Sequence, residues 1–430
     1  MRIARSIILA LTICMNSLAQ NPLVSDAGMS DPHVRVFNDT VFLYCGHDES
    51  PDDETWDMRY WQIWSSTDLN TWTFRGSITP DDNYMPDDSQ DCWAGDAATR
   101  NGQYYFYFSD RKRSIGVMTS GQPAGPFIDP LGKSLVAPMH DPTILVDDDE
   151  AKTPYLVYGH KEDGGYRIAQ LNEDMISLAE TPKLIEINGK EWEDAPNWMD
   201  KSYIFKHKGT YYLSWGRDYA VSDKAYGPYT CKGAVGEGHN LNEFAHGSFF
   251  WWKGQFYHVW CYYVNPARKY RETIMTYCHF DNAGNIITDT DFLDDHFEYG
   301  VARYHANWKK IQAEWFYSKS EEATKNFISG RNLELTNLIG NSWVCYQNVA
   351  FPGNSGSFEA WIRCAGTGKL EIRLDSPEGE KVTEIELSDT KGNYQSFKGE
   401  IKVAEGERDI FLIPKGELMI SLDYFSFGIK

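Results

Sequence analysis

The sequence predicts an all-β chain, with a five-bladed β-propeller followed by an antiparallel, jelly-roll-like β-sandwich. Aromatic and β-branched runs recur along the first two thirds, and most follow a Gly, Asn or Asp turn, as β-hairpins do. Helical periodicity is nearly absent between residues 23 and 300. The runs are TVFLYCG, GQYYFYFS, TPYLVYG, GTYYLSWG and GQFYHVWCYY. Their spacing of about 45 to 65 residues predicts five blades, because a closed ring of blades protects the edge strands.

The pattern changes after GVARYHANWKK, where Tyr-rich hairpins give way to shorter alternating strands. These strand runs are SFEAWIRCAG, GKLEIRLDS, VTEIELSD, RDIFLIPK and LMISLDYFSF. Strands at such intervals, with polar turns between them, predict an antiparallel sandwich of about 120 residues. We therefore expect the propeller to occupy residues 21–305 and the sandwich to occupy residues 306–430.

Residues 1–20 have the order of a secretory signal peptide, with two arginines, an apolar run, and Ser-Leu-Ala before Gln20. We expect this segment to be removed and the mature protein to be secreted or periplasmic. Lipoprotein anchoring through Cys14 is the weaker alternative, because Ile13 is bulky where a small residue is expected. No other run approaches the roughly 20 apolar residues that span a bilayer.

Charge and composition point to a neutral ligand. The formal net charge is -21, which repels nucleic-acid phosphates and anionic membranes. Aromatic residues make up 15% of the chain, with 15 Trp and 26 Tyr, and such rings suit the flat apolar faces of sugars. We expect a monomer whose partner is a carbohydrate.

The cysteines indicate neither a disulfide framework nor a metal site. Eight are present, and the seven that remain without Cys14 are widely spaced and contain no CxxC pair. We therefore expect buried free thiols. The acidic loops SPDDETWD and TPDDNYMPDD are expected to be solvated rims rather than calcium ligands.

Two similar phrases begin a strand with Asp-Pro: MSDPHVRVFNDT and MHDPTILVDDDE. Asp31 lies eight residues before Asp39 of its turn, and Asp141 lies eight before Asp149. Counting back eight or nine residues from the other turn glycines completes one position per blade: Asp31, Trp93 or Ala94, Asp141, Asp200 or Lys201, and His246. In a propeller these strand starts face the central channel, so we expect the side chains to converge at one mouth. Proline is tolerated at the first residue of a strand.

Three carboxylates around a sugar pocket suit glycoside hydrolysis. A base activates water, an acid protonates the leaving oxygen, and a third charge tunes the acid. Clustered acids raise one another's pKa, so their convergence is costly unless it is used. A base and an acid on opposite blades would be far enough apart to admit water, which predicts inversion of the anomeric centre.

Residues 25 to 300 resemble glycoside hydrolase family 43, whose members are five-bladed propellers acting mainly on arabinose- and xylose-containing glycans. The matching phrases include SDPHV, IWSSTDLNTW, CWAGDAATRNGQYYFYFS, HDPTILVDDDE, FKHKGTYYLSWG and AHGSFFWWKGQFYHVW. The resemblance implies that Asp31 is the general base and that Asp141 tunes and orients the acid. It also implies that His246 binds a central cation, with Ca²⁺ as the expected ion, and that the chemistry requires no cofactor.

The general acid has two main candidates. The family usually has a Glu in a Glu-Gly-Pro or Glu-Ala-Pro phrase about nine residues before the turn glycine of the fourth blade. Glu193 in EWEDAP resembles that phrase but lies 16 residues before Gly209. Asp200 has the expected spacing but is shorter by one methylene, and Asp194 is a third alternative.

Other residues are expected around the pocket. Trp93 is predicted to stack on the sugar, although packing is an alternative for a buried Trp. His47 and Asp48 are predicted to line the pocket wall, although an Asx turn also explains Asp48. Arg271 is predicted to reach a substrate hydroxyl or a carboxylate, with Arg268 as the alternative and a surface salt bridge as the default for both.

The C-terminal segment from residue 308 resembles a family 6 carbohydrate-binding module. The matching phrases are IQAEWF, NVAFPGNSGSFEAWI, LEIRLDSPEGEKVTEIEL and LDYFSF. The resemblance implies a structural calcium site to which Glu314 contributes, and a sugar cleft between two aromatics. Tyr394 stands where the family usually has a Trp, and Trp343 or Tyr346 offers the second ring. A module that only packs on the propeller is the alternative.

The leading hypothesis is an exported, inverting exo-glycosidase that removes terminal α-L-arabinofuranosyl or β-xylosyl units from plant-type glycans. One alternative is a carbohydrate-binding protein that has lost hydrolysis through its altered fourth-blade acid. Another is a family 43 enzyme acting on β-galactan.

Overall fold

A computed structural model describes residues 16–18, 21–215, 217–236, 239, 241 and 247–429 of the chain. Almost all regular structure is β, with five small sheets preceding one ten-stranded sheet. The small sheets are the blades of a propeller and the large sheet forms the C-terminal domain, so the predicted fold class is confirmed. The predicted signal peptide, including Cys14, lies outside the described residues apart from Asn16–Leu18.

The first eight strands form blades 1 and 2. Blade 1 contains β1 (Asn16–Leu18), β2 (Met29–Phe37), β3 (Thr40–His47), β4 (Trp61–Ser66) and β5 (Thr71–Ile78), in the sheet order β1-β5-β4-β3-β2. Blade 2 contains β6 (Cys92–Arg100), β7 (Gln103–Asp110) and β8 (Ser114–Ser120) in sequence order. A 3₁₀ turn at Pro80–Asp82 lies between the two blades.

The next thirteen strands form blades 3 to 5. Blade 3 contains β9 (Thr143–Val146), β10 (Pro154–His160), β11 (Gly165–Gln170) and β12 (Lys183–Leu184), with a 3₁₀ turn at Lys161–Asp163. Blade 4 contains β13 (Ile187–Asn188), β14 (Ser202–His207), β15 (Thr210–Trp215), β16 (Asp218–Ser222) and β17 (Tyr229–Ala234), with helix α1 (Lys190–Glu193) after β13. Blade 5 contains β18 (Gly247–Trp252), β19 (Gln255–Tyr263), β20 (Arg271–Phe280) and β21 (Ile286–Thr288), followed by helix α2 (Thr290–His296).

The innermost strands β2, β6, β9, β14 and β18 contact one another in a ring that closes where β18 meets β2. At this closure the amide of Val34 donates to Ser248 Oγ at 3.0 Å, and the Ser248 hydroxyl donates to the carbonyl of Pro32 at 3.0 Å. Because the blades pack face to face, strands such as β4 are buried on both sides. Burial on both faces explains the near-continuous apolar runs of the sequence.

An ion pair between a partly buried arginine and a buried aspartate, near the propeller axis, connects all five blades. Arg35 on β2 donates from Nε to Asp96 Oδ1 on β6 at 2.9 Å. Asp96 Oδ2 also accepts the amide of Ile144 on β9 at 2.8 Å. Arg35 reaches the hydroxyl of Tyr203 on β14 at 3.5 Å, and that hydroxyl donates to the carbonyl of Phe249 on β18 at 2.8 Å. We call this set of contacts the axial network.

Asp96 is fully buried and ionised within the axial network. Burial alone would raise the pKa of its carboxyl, but Arg35 and His33 outweigh that effect and hold the pKa well below its usual range. His33 lies 3.0 Å from Asp96, and burial lowers the pKa of its imidazole to about 4. The ring is therefore neutral near pH 7, and Arg35 supplies the compensating positive charge.

The C-terminal domain contains ten strands in one connected sheet. They are β22 (Tyr304–His305), β23 (Ile311–Gln312), β24 (Ser318–Lys319), β25 (Thr324–Ser329), β26 (Asn332–Ile339), β27 (Val344–Phe351), β28 (Asn354–Leu374), β29 (Lys381–Leu387), β30 (Gln395–Val403) and β31 (Gly406–Ile429). A 3₁₀ turn at Ala313–Trp315 follows β23. The short strand β22 pairs with β27, so residues just before the expected boundary at 305 and 306 already belong to this sheet.

The propeller and the C-terminal domain share one apolar core. Leu43 of β3 and Met275 of β20 belong to the same buried cluster as Tyr346 of β27 and Phe425 of β31. Gln255 on β19 adds a polar tie, because its amide nitrogen donates to the carbonyls of residues 314 and 316 at 2.7 and 2.9 Å. The C-terminal domain therefore packs directly on blades 1 and 5.

The seven cysteines of the described chain are all free, and all but Cys231 are buried, which confirms the expected buried thiols. Within the described residues, no helix has the length and apolar character needed to cross a membrane.

The axial network generates a stability prediction. We expect Asp96→Asn to destabilise the propeller by up to about 3 kcal/mol, because it leaves the partly buried Arg35 without its charge partner. Thermal and urea unfolding followed by tryptophan fluorescence would measure the loss. The pKa of Asp96 is depressed in the folded state, so its contribution is present above the unfolded pKa near 3.9 and fades as the pH falls below it.

The matched control is Asp148→Asn. Asp148 also pairs with a cation, Lys206, but its side chain is 72% exposed. An exposed pair contributes roughly 0 to 1 kcal/mol, so this variant should unfold close to the parent. Equal effects of the two substitutions would contradict a special role for the axial network.

Candidate active site

One mouth of the propeller opens into a cavity of about 900 Å³. Six carboxylates line it, and three of these lie at the starts of inner strands of different blades: Asp31 on β2, Asp141 just before β9, and Asp200 just before β14. Trp93 and Ala94, the two residues that the register offers for blade 2, line the cavity as well. The starts of four inner strands thus face one shared hollow.

Both Asp-Pro pairs have the same uncommon backbone conformation. The φ angles of Asp31 and Asp141 are 50° and 57°, in the left-handed region that Asp tolerates better than most residues. In β2 the pairing register shifts between Ser30 and His33, which leaves Asp31 and Pro32 in a bulge. A proline at a bulge costs no ladder bond. Backbone strain of this kind, held by a rigid sheet, is a common property of functional sites.

Arg271 holds Asp31 from blade 5. Its Nη1 donates to Asp31 Oδ1 at 2.9 Å, while Nε and Nη2 donate to the two oxygens of Asp48 at 2.9 and 2.8 Å. Burial disfavours the charge of Arg271, but the two carboxylates outweigh burial and hold the pKa of its guanidinium above the usual value. Asp48 therefore lies behind Arg271 and orients it, and it is not among the cavity-lining residues.

His47 and Arg268 lie away from the cavity surface. The His47 ring stacks on Tyr60 with 4.4 Å between centroids, and its Nδ1 is 2.7 Å from the amide nitrogen of Gln62. Arg268 forms a surface salt bridge with Glu54 at 2.8 Å. Of the two arginines proposed for blade 5, the structure thus brings Arg271 to the carboxylates.

Asp141 connects blade 3 to the segment that carries Asp200. The backbone amide of Asp141 donates to Ser109 Oγ, and Asp141 Oδ1 lies 3.3 Å from the same hydroxyl. Asp141 Oδ2 accepts the backbone amide of Lys201 at 3.2 Å. Because Lys201 directly follows Asp200, this hydrogen bond fixes the backbone position of Asp200 relative to Asp141.

The structure separates the two main candidates for the general acid. Asp200 lines the cavity, and its carbonyl accepts the hydroxyl of Tyr166 at 2.8 Å. Glu193 is exposed at the end of α1 and is not a cavity-lining residue, although its carbonyl accepts Lys161 Nζ at 3.0 Å. Asp194 is exposed at the cavity rim. The geometry favours Asp200 for contact with a bound substrate.

Aromatic rings form one wall of the cavity. Trp93 meets Trp56 edge to face at 5.9 Å, and Trp56 Nε1 donates to the Tyr263 hydroxyl at 3.1 Å. The Lys269 ammonium lies 4.4 Å from the Trp56 ring, and the Arg111 guanidinium lies 4.9 Å from the Trp93 ring. Linked, partly exposed rings of this kind can stack on a sugar face while their own positions stay fixed.

Sequence reasoning missed three of the cavity aromatics: Trp56, Tyr263 and Trp198. Trp56 lies in the acidic loop SPDDETWD, whose charges suggested a solvated rim. Tyr263 ends β19, and Trp198 lies in the loop before β14 with 56% of its surface exposed. The one available signal was the presence of a large aromatic in a polar loop beside a blade.

One cluster within the described residues has the composition of a metal site. Ligand atoms of His140, His160 and Asp200 lie within 4.8 Å of one another. However, His160 Nδ1 accepts the amide hydrogen of Glu162 at 3.1 Å, so the neutral ring carries its proton on Nε2 and has no nitrogen lone pair left for a metal. The cluster fits a polar surround for Asp200 better than a metal centre.

The two residues expected to bind calcium have different outcomes. His246 lies outside the described residues. Glu314 is buried, and burial followed by the charge of Asp289 raises the pKa of its carboxyl well above the usual value, whereas Lys325 opposes that shift. Calcium takes six to eight oxygen ligands, and no other carboxylate or histidine of the described chain joins Glu314 in a cluster of three.

The two aromatics proposed for the C-terminal sugar cleft have different neighbours. Trp343 packs against Phe411 with 5.6 Å between ring centroids. The Tyr394 hydroxyl donates to Glu334, and the guanidinium of Arg363 lies 5.4 Å from its ring. Trp343 therefore supports the domain core, whereas Tyr394 lies in a charged surround.

Family models match both domains. The model for glycosyl hydrolases family 43 matches residues 19–227, and the model for carbohydrate binding module family 6 matches residues 312–428. An arabinoxylan arabinofuranohydrolase from Bacillus subtilis is 24% identical over 97% of this chain and 94% of its own length. A β-D-galactofuranosidase from Aspergillus niger is 30% identical over 65% of this chain and 87% of its own length.

Solved structures show the same architecture. A family 43 β-xylosidase/α-arabinofuranosidase from a compost microbial metagenome, determined with xylotriose in a calcium-free form, is 26% identical with a TM-score of 0.56, covering 64% of this chain and 98% of that one. A family 43 arabinoxylan arabinofuranohydrolase from Bacillus subtilis, determined with cellotetraose, has a TM-score of 0.56 at 23% identity and covers 95% of this chain and 97% of that one. The second match covers both the propeller and the C-terminal domain, so the two-domain fold of this chain is also that of the solved structure. Together with the carboxylate-lined cavity and the family matches, these findings show that the chain belongs to glycosyl hydrolase family 43 and is a glycosidase with a C-terminal family 6 carbohydrate-binding module.

Proposed function

We propose that the protein is an exported exo-glycosidase that removes terminal α-L-arabinofuranosyl or β-xylosyl units from plant-type glycans with inversion. The observation that carries the proposal is the convergence of Asp31, Asp141 and Asp200, from three blades, on one cavity. The names of the relatives support the substrate class, since they include arabinoxylan arabinofuranohydrolases and xylosidase/arabinosidases. The signal-like residues 1–20 support export.

Asp31 is the proposed general base. Its carboxylate takes a proton from water, and the oxygen of that water forms a bond to the anomeric carbon. Arg271 stabilises the ionised form of Asp31 through the hydrogen bond at 2.9 Å, and Asp48 keeps Arg271 in place. The proton acceptor is thus charged and fixed before substrate arrives, which lowers the cost of reorganisation during the reaction.

Asp200 is the proposed general acid. It donates a proton to the glycosidic oxygen as the bond from that oxygen to the anomeric carbon breaks. Asp141 positions this residue through the amide of Lys201. Because Asp is one methylene shorter than the usual Glu, the bond to be cleaved must lie closer to the β14 backbone. Base and acid come from blades 1 and 4, and a separation wide enough for water between them would give inversion.

A galactofuranoside is the second candidate substrate. The relative from Aspergillus niger is named a β-D-galactofuranosidase and has 30% identity to this chain. Arabinofuranose and galactofuranose share the five-membered ring, so the aromatic wall could stack on either. A panel of aryl arabinofuranoside, xyloside and galactofuranoside substrates would rank the candidates. If the protein hydrolyses none of these substrates, the proposed function is contradicted.

Substitution of the base provides the first test. We expect Asp31→Asn to reduce kcat/KM on the preferred aryl glycoside by about 10²- to 10⁴-fold, since it removes the proton acceptor and keeps the shape. Added azide should restore part of the rate with a good leaving group, because it replaces the activated water. Asp39→Asn is the matched control, because Asp39 lies in the exposed turn of the same hairpin at a similar φ of 56°. Full activity of Asp31→Asn would contradict the mechanism.

Leaving-group dependence provides the second test and assigns the acid. We expect Asp200→Asn to reduce kcat/KM by about 10²-fold or more on an alkyl glycoside or natural oligosaccharide, whose leaving group needs a proton. The reduction on a nitrophenyl glycoside should be much smaller, because that leaving group departs without protonation. Glu193→Gln should match the parent on both, because Glu193 is not a cavity-lining residue. The reverse pattern would transfer the acid role to Glu193. Product stereochemistry by proton NMR would test inversion.

A further inference from the structure

Beneath the cavity, the propeller channel contains a buried lysine that the proposed mechanism does not use. Lys201 directly follows Asp200 at the start of blade 4, and its side chain is 1% exposed. Its Nζ is buried and has no hydrogen-bond partner among the described residues. It is not a cavity-lining residue, so its ammonium lies behind the substrate-facing surface.

The groups that face this ammonium come from the four other blades. Asp31 belongs to blade 1, Asp96 to blade 2 and Cys261 to blade 5, while Asp141 lies two residues before β9 of blade 3. Such an arrangement places Lys201 Nζ close to the propeller axis. A position shared by five blades is suited to balancing the charges of all of them at once.

The titratable groups around the ammonium differ in charge near neutral pH. Burial lowers the pKa of His33 to about 4 and raises the pKa of the Cys45 thiol, so both are neutral there. Asp31, Asp96 and Asp141 are the carboxyl groups that interact with Lys201. Burial lowers the pKa of Lys201 itself, and the carboxylates oppose that effect. The further groups around Asp31 and Asp141 are Arg271, Asp48, His140 and Tyr166.

We propose that Lys201 is a positioning residue whose buried ammonium acts as the internal cation of the channel and keeps both Asp31 and Asp141 ionised. This inference rests on the proposed hydrolysis, in which Asp31 must accept a proton. Arg271 contacts one oxygen of Asp31 directly, whereas Lys201 acts on Asp31 and Asp141 together from below. The link from Asp141 to the Asp200 segment uses the backbone amide of Lys201, so a side-chain substitution preserves that link.

The test compares the pH dependence of kcat/KM in the parent protein and in Lys201→Met. Removing a positive charge close to a carboxylate raises the pKa of that carboxylate by about one to three units, so the acidic limb of the profile should move up by about that amount. The activity of the parent on aryl glycosides is measured first. An inactive parent would contradict the proposed function, whereas an active parent with an unchanged Lys201→Met profile would contradict only the role of Lys201. An unmoved acidic limb would overturn the proposal.

Three further variants separate charge from structure. Lys201→Arg should restore the acidic limb toward the parent position, because it retains the positive charge. Lys206 lies on β14, which Lys201 directly precedes, but it pairs with Asp147 and Asp148, so Lys206→Met should keep the parent profile. Lys201→Gln is a second neutral variant in case the Met variant does not fold.

A readout without catalysis tests the same charge coupling. The unfolding midpoint of Lys201→Met, relative to the parent, should be lowest near pH 7 and should rise as the pH falls toward about 4, because the carboxylates that attract the ammonium then take up protons. The sign follows because the ammonium of the parent attracts ionised carboxylates in the folded state, and that attraction is lost when the carboxylates take up protons. A midpoint difference that stays constant with pH would overturn the proposal even if catalysis were lost for another reason.

Discussion

The ion pair between Arg35 and Asp96 is the interaction on which the propeller depends. Its partners lie on blades 1 and 2, and the hydrogen bonds around it reach Ile144, Tyr203 and Phe249 on the other three blades. A buried pair of this kind adds little net stability compared with apolar packing, but loss of one partner is costly. The pair therefore acts mainly as a constraint on how the five sheets are oriented about their common axis.

This constraint determines where the carboxylates of the site lie. Asp31 is four residues before Arg35 on the same inner strand, and Asp141 is three residues before Ile144. Short stretches of backbone therefore connect the axial network to the cavity. The left-handed backbone conformation of each Asp sets the direction of its side chain relative to the strand. Arg271 and the amide of Lys201 then hold the two carboxylates individually.

The sequence predicts the parts of the site that repeat. Asp31 and Asp141 follow from one register because each blade begins in the same way, and counting from the turn of blade 4 reaches Asp200. Trp56 and Tyr263 could not be predicted in this manner, since loops between strands do not repeat. Nor does residue type reveal burial. Asp48 supports Arg271 from behind, and Lys201 shares the register position but is buried and does not line the cavity.

The apolar core that joins propeller and module has an architectural consequence. Leu43 and Met275 on one side and Tyr346 and Phe425 on the other are packed without an intervening linker. The shared core restricts relative motion of the two domains, so a glycan chain held by the module would approach the catalytic mouth from a defined direction. The part of a bound glycan that can enter the active site is then determined by the packing of the two domains, and not by the length of a flexible linker.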